Sequence, residues 1–174
     1  SLQKGAVIPE LHICPTFMRD TSADIEAARF DLDGSKVELP VKLKVHESVF
    51  VPLAKWAMLL AGNYRCVEEE TVRPIKEAVH SNLDESRKVY DWVVELCLKL
   101  GASRDDMVPF EKYANAALSL LSPSSAARAL AAGAPYIERV DKLVQIIAAQ
   151  HGMQSDAVDR TVRLVEAWLE RNRQ

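Results

Sequence analysis

Apolar residues recur along this chain with two different periods, and the change falls near Ser48. Before it, ARFDLDGSKVELPVKLKVH alternates apolar and polar positions around Asp33-Gly34. Phe30 and Leu32 lie ahead of the turn, and Val37, Leu39, Val41, Leu43 and Val45 follow it. A period of two around Asp-Gly predicts a β-hairpin. Pro40 has no amide hydrogen to give a ladder, so the second strand is expected at an edge or interrupted there. The preceding PELHICPTFMRDTSADIEAA reads as a short apolar piece, a turn and a single turn of helix. Residues 1–47 are therefore expected to form a β-containing lead-in.

From Ser48 onward the apolar spacing is three and four, the period of a helix with one buried face. SVFVPLAKWAMLLAGNYR places Phe50, Leu53, Ala57, Leu60 and Ala61 on one face, with Ser48 as N-cap and Pro52 in the first turn. A second helix is predicted over Thr71 to Asn82, with Pro74 near its start. In DESRKVYDWVVELCLKLGA the stripe is Val89, Val93, Leu96, Cys97 and Leu100, and Gly101 ends the helix. A fourth helix lies around PFEKYANAALSLL and stops before Pro123; a short fifth lies within SSAARALAA. The sixth follows Pro135, with Ile137, Val140, Leu143, Val144 and Ile147 inward and Glu138 one turn into it. The last is capped by Ser155 and carries Val158, Val162, Val165 and Leu169. The fold class is thus mainly α, a six- to seven-helix bundle over residues 48–174 with the short hairpin segment in front.

Composition narrows the function. The chain has 174 residues, nearly half of them apolar and about a quarter charged, with a formal charge of −3. That balance is typical of a globular protein and does not supply the clustered Lys and Arg that phosphate neutralisation requires, so no nucleic-acid partner is expected. No apolar run approaches the ~20 residues that span a bilayer. Cys14, Cys66 and Cys97 are an odd, unpaired set, which points to a reducing, cytoplasmic compartment. His12, His46, His80 and His151 are scattered without a second ligand at helical spacing, so no metal site is expected. The opening SLQKGAVIPE has neither Met nor a secretory core and is expected to continue from a longer chain.

Of the motifs that carry chemistry, most are missing. The six glycines do not cluster, and no Gly-x-Gly-x-x-Gly, Walker loop or Gly-x-Ser-x-Gly elbow occurs. Asp105-Asp106 fits a helix start, and Glu68-Glu69-Glu70 fits a solvated turn. Two constellations remain. In KWAMLLAGNYR, Lys55 and Asn63 are two helical turns apart and can face one cleft, with Arg65 just beyond; equally, Lys55 can snorkel and Asn63 can end the helix beside Gly62. In SPSSAARALAAGAPYIERVD, Ser124 and Ser125 can contact a ligand together with Glu138, or can cap the helix beside an exposed Glu138–Arg139 pair.

The helical part resembles the C-terminal domain of the ketopantoate reductase family, in the wider group of helical domains typified by 6-phosphogluconate dehydrogenase. The likeness runs from about Val49 to Glu170. It rests on KWAMLLAGN at 55–63, SSAARALAAGAPYIERVD at 124–141 and the closing LVQIIAAQHGMQSDAVDRTVRLVEAWLE. The family pattern has lysine two residues after the tryptophan, where this chain has Met58; Asn63 and Glu138 each fall one residue late. The mannitol-type polyol dehydrogenases offer a related Lys…Asn…His set. Lys55 and Asn63 are similar to its start, and no histidine follows at Tyr64 to Val67.

The resemblance implies the substrate-binding and dimerisation domain of an NAD(P)-dependent oxidoreductase acting on a 2-ketoacid or polyol. NADP would be bound mainly by a separate Rossmann domain, and the chain alone would be inactive. Lys55 and Asn63 would take the catalytic positions, Ser124, Ser125 and Glu138 would contact the small-molecule substrate, and the protein would be a homodimer. The competing expectation is a non-catalytic helical module that keeps this fold and binds a protein partner, which Met58 favours.

Overall fold

The computed structural model describes residues 15–38 and 48–174, and the chain divides into two compact units, Ser1–Glu47 and Ser48–Gln174. In the first unit, helix α1 (Pro15–Ala27) precedes strands β1 (Arg29–Leu32) and β2 (Ser35–Glu38), paired antiparallel with Phe30 opposite Val37. Asp33 and Gly34 both have positive φ, 52° and 83°, as a two-residue hairpin turn requires, and the Asp31 carboxylate accepts the Gly34 amide at 2.9 Å. The single helical turn expected before the hairpin is instead a helix of 13 residues. Proline suits its first position, and no glycine or second proline interrupts it. Phe30, Leu32 and Val37 are exposed. Leu39 to Val45 with Pro40, and Cys14, His12 and His46, lie outside the described residues.

In the second unit, the segment expected as one long helix is four short turns of different pitch. A 3-10 turn (Val51–Leu53) leads into α2 (Ala54–Met58), a π turn (Leu59–Asn63) and another 3-10 turn (Tyr64–Cys66). Pro52 sits in the first turn, and Ser48 bonds the Phe50 amide rather than capping α2. The widening has a visible cause. Tyr113 donates its hydroxyl to the Met58 carbonyl at 3.1 Å, and any Cβ on Gly62 would overlap that hydroxyl. Leu60, Ala61 and Gly62 are wholly buried, and the π turn packs against four later helices.

Six helices follow in sequence order, α3 (Ile75–His80), α4 (Leu83–Lys99), α5 (Phe110–Ala117), α6 (Ser125–Ala131), α7 (Val140–Gln150) and α8 (Asp156–Asn172), and the four that pack on the turn are α3, α4, α6 and α7. The Asn82 side chain caps α4 by accepting the Glu85 amide, and Gly101 at φ 108° ends it against the Phe50 ring. Val89, Val93, Leu96 and Cys97 are buried as the stripe predicts. Tyr90 stacks on Tyr113 at 5.5 Å and meets the edge of Phe110 at 5.4 Å. Asp106 and Ser103 cap a 3-10 turn reciprocally, which accounts for the acid pair. Ser155 caps α8, whose Val158, Val162, Val165 and Leu169 are all buried. The glutamate run is more than a solvated turn. The Glu68 carbonyl accepts the Trp168 indole at 2.7 Å and the Glu69 carbonyl accepts Arg171, so it anchors the end of α8. Leu143 departs from its expected inward position and is exposed beside Ile146. Among the described residues, no helix is long and apolar enough to cross a membrane.

Replacing Gly62 by alanine should destabilise the unit by about 1–3 kcal/mol through overpacking against Tyr113. The cost should shrink markedly in a Tyr113→Phe background, where the overlapping oxygen is gone. A double-mutant cycle from denaturant midpoints reads this coupling, and strict additivity would contradict the account.

Candidate functional site

Asn63, Ser125 and Glu138 line one cavity of about 320 Å³. Three elements build it. The central turns contribute Leu59, Asn63 and Tyr64; α6 contributes Ser125, Ala126 and Ala129; the stretch before α7 contributes Tyr136, Ile137 and Glu138. The volume suits a small organic molecule, and the mix of apolar walls with a few polar groups is that of a ligand pocket.

Two long-range hydrogen bonds hold the walls together. The Ser124 hydroxyl donates to the Asn63 carbonyl at 2.7 Å while accepting the Ala127 amide at 3.2 Å. It therefore caps α6 and ties that helix to the central turn. Ser124 is buried with both roles filled, and its neighbour Ser125, exposed at the first helical position, is the serine that reaches the cavity. Tyr64 makes the second link. Its hydroxyl donates to the Glu138 carbonyl at 2.6 Å and accepts the Val140 amide at 3.1 Å.

This link corrects the position of Glu138. The residue precedes α7 instead of lying one turn inside it, because Gly133 (φ 86°) follows the end of α6, Pro135 comes next, and the Tyr64 hydroxyl holds Glu138 and Val140 apart from a helical ladder. Glu138 is exposed and its carboxylate has no hydrogen bond or ion pair among the described residues. The expected Glu138–Arg139 pair does not form. Arg139 grips Asp141 through two bonds of 3.0 Å and reaches Glu166 at 2.6 Å. Asp141 is fully buried, so this paired charge needs the bidentate geometry it has. The hydrogen bond from Arg139 holds the Glu166 carboxyl below its ordinary range.

Lys55 does not line the cavity. Four residues before Leu59, it lies one turn, about 5.4 Å, further along the segment. Its side chain is exposed, and it makes no hydrogen bond or ion pair among the described residues. Met58 packs against the core and gives its carbonyl to Tyr113. Arg65, singled out with Lys55 and Asn63, points elsewhere. It is 9% exposed, donates to Ser86 at 2.6 Å and pairs with Glu85 at 2.5 Å. It borders a separate cavity of about 550 Å³ shared with Arg73 and Arg160, where Arg73 is neutralised by Glu68 at 3.3 Å.

Tyr64 and Tyr136 were missed in the sequence, although each adjoins a motif already singled out, in GNYR and GAPYIE. Their neutral, aromatic character gave no sign of which polar partners they would meet.

A dinucleotide has no cradle among the described residues. Gly34 lies in the hairpin turn, Gly101, Gly133 and Gly152 follow helix ends, and Gly62 is filled by Tyr113. None opens a strand-to-helix phosphate loop.

Removing the Tyr64 hydroxyl leaves the Glu138 carbonyl and the Val140 amide unpaired. Tyr64→Phe should therefore cost about 1–3 kcal/mol. Burial raises the Tyr64 phenol from 10.0 to about 12. The folded state thus keeps a proton that the unfolded state releases, so this contribution is intact below pH about 10 and lost as pH rises through about 12. Denaturation followed across that window should show a steeper decline for the native chain than for Tyr64→Phe. Equal slopes would contradict this role.

Comparison with protein families, with curated proteins and with solved structures gives no match for this chain.

Proposed function

We propose that residues 48–174 form the substrate-binding part of a ketopantoate-reductase-like NAD(P)-dependent oxidoreductase, holding a small polar molecule between the central turns, α6 and the approach to α7. One observation carries this reading. Asn63, Ser125 and Glu138 come from three separate elements, 75 positions apart at the extremes, and line a single cavity whose walls are fastened by Tyr64 and Ser124. An amide, a hydroxyl and a carboxylate can orient a polyfunctional substrate; none of them polarises a carbonyl as a lysine ammonium does. Hydride and nucleotide chemistry would accordingly come from a separate domain that supplies NADP(H). Homodimerisation, also implied by the resemblance, would have the exposed Leu143 and Ile146 of α7 available as apolar surface.

The second reading, a helical module that binds a protein, is favoured by a different observation. Met58 stands at the family's lysine position and serves the core, and Lys55 lies outside the cavity.

Titration of the chain with small keto, hydroxy and amino compounds, followed by amide NMR, separates the two. The substrate-domain reading expects shifts centred on Asn63, Ser125 and Glu138 that Asn63→Ala weakens severalfold, with no NADPH oxidation by the chain alone. If no small molecule moves these residues while a protein partner binds elsewhere, the second reading replaces it.

A further inference from the structure

We propose that the ligand of this cavity carries a protonated amine, which pairs with the Glu138 carboxylate beside the Tyr136 ring. The inference rests on the reading of the cavity as a small-molecule site and narrows its substrate class. It begins from charge. Glu138 is the one charged residue among those lining the cavity, and its carboxylate is unpaired among the described residues. No lysine or arginine lines the cavity, and Arg139 and Arg173, which adjoin its lining residues, are engaged. Arg139 is spent on Asp141 and Glu166. Arg173 donates to the Pro135 carbonyl at 3.2 Å and covers the Tyr136 ring at 5.4 Å from its centroid. Lys55 and Arg128 are exposed and do not line the cavity.

An anionic ligand entering this space would meet a carboxylate, and the guanidinium at its edge, Arg173, is already shared among the Tyr136 ring, the Pro135 carbonyl and Glu166. An ammonium would meet the carboxylate directly, with the Tyr136 π system as a second favourable surface. The Asn63 side-chain oxygen and the Ser125 hydroxyl are further acceptors for its N–H groups, whereas the apolar walls, Leu59, Ala126, Ala129 and Ile137, suit a short hydrocarbon portion. Because Glu138 contributes only its backbone carbonyl to the fold, through Tyr64, its side chain is free to serve a ligand.

Three probes of matched length test this: pentylamine, pentanol and pentanoate, titrated into the whole chain with amide shifts of Asn63, Ser125 and Glu138 as the local readout. The amine should bind most tightly and pentanoate most weakly. Glu138→Gln should lower amine affinity about fivefold, the scale of a solvent-accessible ion pair, while leaving pentanol within about twofold. The Glu138–Tyr64 backbone bond survives this change, so unchanged thermal stability certifies the fold. Tighter binding of pentanoate than of pentylamine overturns the proposal, as does amine binding indifferent to Glu138→Gln. Loss of pentanoate binding in Lys55→Ala would identify Lys55 as the cation that had been missed. If none of the three probes shifts these residues, the cavity is not a small-molecule site, and the broader reading fails with its corollary.

Discussion

The Tyr113 hydroxyl fills the space that a side chain on Gly62 would take, and the wide turn from Leu59 to Asn63 is built around that contact. The middle of the turn, Leu60 to Gly62, is buried in the helical unit, and α3, α4, α6 and α7 pack on it. Its geometry therefore sets where each of them stands. The phenol itself is fixed from behind by Tyr90, whose own hydroxyl is tied to the Val108 carbonyl at 2.7 Å. Burial pushes the ionisation of both phenols upward, so they remain neutral donors across the ordinary pH range.

The cavity is a consequence of how this centre is connected outward. At the end of the π turn, Asn63 presents a carbonyl that receives Ser124, and the next residue, Tyr64, presents a phenol that grips the entry to α7. Two elements that bury Leu130 and Val144 in the core are thereby also fixed by polar bonds at the ends that face the cavity. The same bonds expose a price in specificity rather than in stability. Tyr64 and Ser124 are locked by the fold, so the side chains beside them, Asn63, Ser125 and Glu138, with the Tyr136 hydroxyl, retain free polar atoms for a ligand.

Helix positions were legible in the sequence wherever a cap and an apolar stripe coincided. Ser155 begins α8, Gly101 ends α4, and the buried stripes fall at the expected spacing, whereas Asn82, expected at the end of the second helix, instead caps α4. Legibility failed where one residue's backbone was governed by a distant side chain. Nothing local in LLAGN announces a π turn, since its cause is Tyr113, some fifty residues later. Glu138 was placed inside a helix because Pro135 suits a helix start, yet the Tyr64 hydroxyl delays α7 to Val140. Leu143 was assigned inward by a spacing of three, but α7 buries the narrower stripe of Val140, Val144 and Ala148. For the candidate site, residue types were legible and partnerships were not. Asn63, Ser125 and Glu138 do share a cavity, whereas Ser124 is spent on capping, Arg65 on Glu85, and Lys55 remains in solvent.

The displacement of lysine bears on what the unit can do. A lysine at position 58 would carry its ammonium from a half-buried position that faces the core, where desolvation disfavours the charge unless a carboxylate compensates it. Methionine avoids that cost and packs against the core, one residue before the cavity lining begins at Leu59. The groups that remain can hold and orient a ligand and stabilise a positive charge on it. They cannot deliver a proton to a developing alkoxide with a lysine's charge and reach. The polar groups that line the cavity, an amide, hydroxyls and a carboxylate, are thus suited to holding and orienting a molecule rather than to protonating it.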